Sequence, residues 1–304
     1  MQRAAAGANR NYVVSARNGR RAVLRRYRPL PEPHTALVRL QREHWALETL
    51  GAAGAPVARP LAACEEPGLE ALLLEFAEGE LLGNLAGRLP AADANLAWPA
   101  AGDALAAVHA VDGQRAAAAG CEQAGIRSPS RSRGPYHQEQ AREALAKLAR
   151  SRPDLPALEP LRELVELAGP LYGRAPLALS QSDTHLWQFV HAGAEGGWRC
   201  TAILDWEHVD VDDPDWDLAQ LDVFRFAPVG EVPAQFFAGY GRTPTSPLYT
   251  LYRLERAAWI LDAHVRGEAW VALSVPLAEA FVRRLLDRAT DLRDHVERAV
   301  AETL

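Results

Sequence analysis

Lysine is almost absent from this chain: Lys147 is the single lysine among 33 basic residues, and the rest are arginine. That bias by itself fits a GC-rich coding sequence. Its consequence is that any cation gripping phosphate ahead of Lys147 has to be an arginine. Cysteine is scarce as well. Cys64, Cys121 and Cys200 fit neither a zinc spacing nor a dense disulfide framework, which points to a reducing, cytoplasmic compartment. No apolar run is long enough to cross a bilayer, and Met1 to Gly7 lacks the apolar core of a secretory signal, so no membrane partner is expected. A net charge of −6 argues against a general nucleic-acid binder. No repeat of solenoid length is present. What remains is a chain of 304 residues, 48% hydrophobic, able to form one large domain or two lobes. Oligomeric state is not legible in it.

The first quarter reads as strands. Asn11–Ala16 and Arg21–Tyr27 flank Arg17-Asn18-Gly19-Arg20, and Asn-Gly between two β-rich runs signals a hairpin. After the proline-rich Pro29–Pro33, a helix is predicted over Thr35–Leu50, with Leu37, Leu40, His44, Leu47 and Leu50 near helical spacing. Gly51 and Gly54 close it. Pro56–Ala63 and Ala71–Phe76 read as two further strands. From Gly79 onward the pattern turns helical: Leu96–Val111, Gln138–Arg150, Ala157–Leu167, Pro233–Tyr240, Leu248–Arg266 and Val275–Leu304, with Arg127–Pro135 as a loop.

The most informative stretch lies inside that helical part, from Leu177 to Leu221. Phe189–His191 reads as a strand, Ala192–Gly197 as a glycine-rich turn and Trp198–Leu204 as the returning strand. A hairpin brings its exit back to its entry, so Asp205 should stand beside Asp183 and Gln188. Two carboxylates and an amide oxygen then converge, a hard oxygen set that suits Mg²⁺ alongside substrate phosphates. A base, an amide a few residues on and a second carboxylate past a hairpin form the phosphoryl-transfer layout of protein kinases.

The segments Gln181-Ser182-Asp183-Thr184-His185-Leu186-Trp187-Gln188, Leu204-Asp205-Trp206 and Asp213-Pro214-Asp215-Trp216-Asp217-Leu218-Ala219 carry a family resemblance. The chain resembles the aminoglycoside phosphotransferase and choline kinase-like family. That family typically reads His-Gly-Asp-x-His-x-x-Asn, a hairpin, Ile-Asp-Trp, then Asp-Pro-x-x-Asp-Leu-Ala. The resemblance implies a two-lobed α+β kinase-like fold over nearly the full length. Its small β-rich lobe would span residues 1–78 and its mostly helical catalytic lobe residues 79–304. It implies a phosphotransferase that moves the γ-phosphate of ATP or GTP to a hydroxyl of a small molecule, with Mg²⁺. Asp183 would be the base, Asp205 and Gln188 the metal ligands, and Asp217 a brace for the catalytic loop. Arg25 would grip the donor phosphates and Glu43 orient it, with Arg26 as the rival on the opposite strand face. Gly7–Tyr12, including Asn11, would cover the phosphates. Backbone groups at Glu75 and Ala77 would meet the adenine edge. His109 matches a Leu-His motif and reads as a packed helix-end residue.

Two positions depart from the family pattern. Gln181 replaces a mainly architectural histidine, and Gln188 replaces an asparagine with a side chain one methylene longer. They open a second reading, a degenerate kinase-fold protein that binds a nucleotide or small molecule without transfer, and a third in which another group is moved. For the acceptor, chain position offers Glu207, Trp259 and Asp262. The run Asp210, Asp212, Asp213 and Asp215 reads either as a solvated, helix-capping loop or as a field drawing in an amine-bearing acceptor.

Overall fold

The computed structural model describes residues 2–3, 9–31, 34–88, 96–126, 134–195, 197–223 and 232–303. Of the expected loop Arg127–Pro135, residues 127–133 lie outside the described residues and Gly134 and Pro135 instead open a helix; of the expected phosphate-covering segment 7–12, residues 7 and 8 lie outside them. The chain opens with β1 (Gln2–Arg3), β2 (Arg10–Ser15) and β3 (Arg21–Arg26). Gly19 takes a left-handed φ of 81° at the hairpin, which a side chain would resist, and Asn18 Oδ1 accepts from the Arg20 N–H. Helix α1 (Ala36–Ala52) is capped by Thr35, whose hydroxyl accepts from the Val38 N–H. Its inner face buries Leu40, Leu47 and Leu50 together with Arg39 and Glu43. Leu37, expected on that face, is exposed. β4 (Pro60–Cys64) and β5 (Ala71–Glu75) complete an antiparallel sheet of order β1-β2-β3-β5-β4. β4 starts four residues later than expected. Val57 instead bridges Ile203 in parallel, and Pro56 O accepts from Ile203 N.

The chain then passes through β6 (Glu80–Leu81) into helices α2 (Leu82–Arg88), α3 (Trp98–His109), α4 (Gly113–Ala118), α5 (Gly134–Ser151), α6 (Glu159–Leu167) and α7 (Gly169–Tyr172). Next come β7 (Ala178–Ser180), the hairpin β8 (Phe189–Ala194) and β9 (Gly197–Ile203), and β10 (Asp210–Asp212). Helices α8 (Pro214–Val223), α9 (Ala234–Tyr240), α10 (Pro247–Val265), α11 (Val275–Asp287) and α12 (Ala289–Thr303) follow. The single helix expected over Val275–Leu304 is thus two, broken at Arg288, which leaves helical geometry with φ −115°. Helix α10 packs on α5 and α8 at the centre of this part. Its buried face includes Leu251, Leu254, Ala258 and Leu261.

The hairpin joins the two parts. β6 pairs with β8, and Thr201 donates to the Glu78 carbonyl at 2.8 Å. At the link between them, a Cβ on Gly79 would stand 2.3 Å from the His191 carbonyl oxygen, so only glycine allows this approach.

Candidate active site

The segment Gln181–Gln188 leaves β7, and the hairpin returns the chain to it as expected. Phe189 pairs with Ile203, and Leu204 N donates to Gln188 O at 2.8 Å. Gln181 does most of the joining. Its Oε1 accepts from Asp183 N at 2.9 Å, while Nε2 donates to the Leu204 and Asp205 carbonyls at 3.2 and 2.7 Å. Asp217 is fully buried on α8 and braces the same loop from beneath. Its carboxylate accepts from the backbone N–H of Gln181 at 2.7 Å and of Ser182 at 2.9 Å, and from Ser180 Oγ at 2.8 Å. It also meets His109 Nε2 at 3.1 Å. The two non-glycine residues with left-handed backbone among those described are Ser182 (φ 64°) and Asp205 (φ 67°). Each costs on the order of 1 kcal/mol or more, and both stand at this junction, where networks of this kind hold strained residues in place.

Asp183 lines a cavity of about 720 Å³ and makes no carboxylate hydrogen bond among the described residues. Burial pushes its carboxyl up to about 7 against the pull of Arg256, and the charges of Asp205, Glu207 and Asp217 add to the rise. Such a group exchanges a proton near neutrality, as a general base must. Trp259 and Asp262 line the same cavity, as do Tyr136, His137, Trp216, Glu255 and Arg256, which sequence reasoning did not single out.

Asp205 opens instead into a second cavity of about 320 Å³, walled by Val23, Leu74, Val190 and Ile203 and edged by Glu75 and Ala77. The Glu75 N–H is already spent on Arg59 O at 2.9 Å, while the Ala77 N–H has no partner among the described residues. Asn11 faces Arg25 across β2 and β3 and lines this cavity with a sealed Oδ1 that has no donor. Arg25 is buried at the cavity's end. Its guanidinium pairs with Asp205, with Glu43 at 3.0 Å and with Glu207 at 3.4 Å. Arg26, its neighbour, turns outward to Gly68 O. Desolvation opposes the charge on Asp205, but Arg25 more than offsets it and holds the carboxyl below its ordinary range. Burial dominates at Glu43 and raises its carboxyl despite Arg25.

Glu207, expected beside Trp259 and Asp262, does not line the larger cavity with them. The one-turn helix Trp206–His208 carries its side chain under Arg25. There it accepts from Arg39 Nη1 at 2.8 Å and Asn9 Nδ2 at 2.7 Å. Glu43, Asp205 and Glu207 bring oxygens within 4.8 Å of one another. Arg25 pairs with all three and Arg39 with Glu207, and Asp205 is the most exposed of them, the one carboxylate of the three left open to a hard cation such as Mg²⁺. Gln188 is not in that cluster. It is buried, and its Oε1 accepts from His185 N at 3.2 Å.

The acidic run is neither solvated nor an open field. Asp212 pairs with His137 at 3.0 Å, Asp213 accepts from Tyr252 and from Asp215 N as a helix cap, Asp215 meets Arg242, and Asp210 lies 3.9 Å from Arg42. All four aspartates are buried, and Asp210 lines the larger cavity with Asp183.

The sequence profile of the phosphotransferase enzyme family matches residues 2–254. The chain belongs to this family. A comparison with curated proteins finds no match. Among solved structures, the chain is similar to a variant of aminoglycoside 2'-phosphotransferase-IIIa in complex with GDP, at 17% identity and TM-score 0.62, covering 95% of this chain and 93% of that one. It is similar to macrolide 2'-phosphotransferase MphH from Brachybacterium faecium, at 24% identity and TM-score 0.54, covering 90% and 89%. It is also similar to a choline/ethanolamine kinase family protein from Mesorhizobium loti, at 18% identity and TM-score 0.54, covering 98% and 91%. The fold is thus the expected kinase-like one, an antiparallel-sheet lobe joined to a larger helical lobe, and the enzyme class is phosphotransferase.

Proposed function

We propose that this phosphotransferase moves the terminal phosphate of ATP or GTP to a hydroxyl of a small molecule, with Asp183 as the base. The observation that carries the reading is the meeting of two cavities at one junction. Asp205 lines the smaller, Asp183 lines the larger, and Gln181 ties their backbones together. The purine ring of the nucleotide would sit in the smaller, with Ala77 N–H at its edge and the apolar strand residues against its faces. Arg25, oriented by Glu43, would hold the donor phosphates. Asp205 and Gln188 would hold Mg²⁺, which supplies charge neutralisation on the phosphates when bound. The Gln188 oxygen already accepts from His185 N, which leaves it one lone pair for a cation. The acceptor oxygen attacks the γ-phosphorus in line, its proton passes to Asp183, and the bond to the nucleoside diphosphate breaks. Residues 1–78 act in this reading as the donor lobe and 79–304 as the acceptor lobe, in a cytoplasmic protein.

One observation favours the binding-only reading: Gln188 is buried and its oxygen is turned to the His185 N–H. Release of nucleoside diphosphate, measured over a broad acceptor panel with wild type and Asp183→Asn, separates the two. Acceptor-dependent release that the variant lacks supports transfer. Nucleotide binding with no release over the whole panel supports binding alone.

A further inference from the structure

The charges lining the larger cavity are nearly all spoken for. Lys147 pairs with Glu143 at 3.1 Å, and Arg42 lies 3.9 Å from Asp210. His137 sits between Asp212 at 3.0 Å and Glu255 at 3.2 Å, and Asp262 pairs with Arg266. Two formally charged groups stay outside this pairing, Asp183 and Arg256. Among the described residues no carboxylate oxygen comes within 4.0 Å of the Arg256 guanidinium.

Arg256 is built into the wall. Its guanidinium lies 5.0 Å from the ring centres of both Trp216 and Trp259, cation–π contacts that fix its plane. Nη2 donates to Gln220 Oε1 at 2.5 Å. Nε is sealed and has no partner, and the side chain lines the cavity. Burial pulls the guanidinium below its ordinary pKa, with Glu255 and Asp183 pulling the other way. Among the described residues no carboxylate pairs with this guanidinium directly, so an anionic group brought by a ligand gains a charge-assisted hydrogen bond from it. Arginine is also the side chain that best presents donors to carboxylate or phosphate oxygens.

We infer that the acceptor carries an anionic group, a carboxylate or a phosphate ester, that binds Arg256 while its hydroxyl lies at Asp183. This rests on the larger cavity being the acceptor site. It names a substrate class opposite in charge to an amine-only acceptor. Arg256 is then a specificity residue for the acceptor and not part of the donor site.

Ligand-observed NMR on the full chain tests this with matched pairs in two arms. One arm sets hydroxy acids, including gluconate and glucuronate, against their primary amides. The other sets sugar phosphates against the parent sugars. Wild type should prefer the anion by about tenfold in at least one arm, the worth of a charge-assisted hydrogen bond. Arg256→Gln should lose that preference and Arg256→Lys keep part of it. The arm that responds identifies the anion. Equal or absent binding within every pair, or a preference that survives in Arg256→Gln, overturns the inference. So does a loss of Mg²⁺–nucleotide affinity in Arg256→Gln with the anion preference intact, which would assign Arg256 to the donor. Titration of Mg²⁺–ATP into the same proteins keeps the two readings apart. Nucleotide binding without an anion preference removes only the acceptor class, and absent nucleotide binding removes the phosphotransferase reading itself.

Discussion

The Gln181 side chain donates to the Asp205 carbonyl at 2.7 Å while accepting from the Asp183 N–H at 2.9 Å. A residue that departs from the family pattern thus ties the proposed base to the proposed metal ligand. Gln181→Leu leaves a buried N–H and two carbonyls unpaired and should cost about 1–3 kcal/mol of stability. It should lower kcat more than it weakens nucleotide binding, because the two aspartates lose their common register. A variant with unchanged kcat and melting temperature would remove Gln181 from the account.

Asp183 sets the pH dependence. A base must be ionised to accept a proton, and burial has raised this one to about 7. The profile of kcat/KM for the free enzyme should therefore climb as pH rises through about 7 and level off above it. Asp183→Asn should lower turnover by about 10²–10⁴-fold, the usual worth of general-base catalysis, and spare Mg²⁺–nucleotide binding. An acid limb centred near the ordinary carboxylate value of about 4 would contradict the raised value.

His137 makes stability depend on pH with the opposite sense. Burial alone would lower its pKa, but Asp212 and Glu255 outweigh it and lift the imidazole to about 9. Because the folded value exceeds the unfolded one, the stabilisation is complete below about pH 6.5 and is lost as pH rises through about 9, a change on the order of 3 kcal/mol. His137→Ala should destabilise by about 3–5 kcal/mol, since it leaves two buried carboxylates without their cation. Denaturant midpoints between neutral and alkaline pH, compared for the two proteins, measure this. Parallel curves would show that His137 is not the titrating group.

Arg25 tests the choice of arginine over lysine. Its fork meets Glu43, Asp205 and Glu207 at once, and a lysine ammonium is a single point of charge. Arg25→Lys should fold, and should bind Mg²⁺–nucleotide about tenfold more weakly. Equal affinity in titration would mean that charge alone suffices at this position.

The hairpin around the site is legible in the sequence because both of its signals are local: alternating strands and a glycine-rich turn. Asp183, Asp205 and Asp217 follow from it by motif order. The surroundings of the site are not legible in this way. His137 and Asp212 are 75 residues apart, and nothing in either segment marks the pairing, so the acidic run reads as a surface loop when taken alone. Arg256 lies in an amphipathic helix among other arginines, and only the packing of Trp216 and Trp259 around it sets it apart. The place of Glu207 is not legible from chain position, because a single helical turn after Trp206 carries it under Arg25 and away from the larger cavity. The break at Arg288 lacks a glycine or proline to announce it.

The central claim is that Asp205 anchors a metal–nucleotide site. Titration calorimetry of ATP and of GTP, each with and without Mg²⁺, on wild type and Asp205→Ala tests it most directly. Wild type should bind at least one nucleotide in a Mg²⁺-dependent way, and the variant should lose that dependence. Failure of wild type to bind either nucleotide, or Mg²⁺-dependent binding that survives in Asp205→Ala, would contradict it.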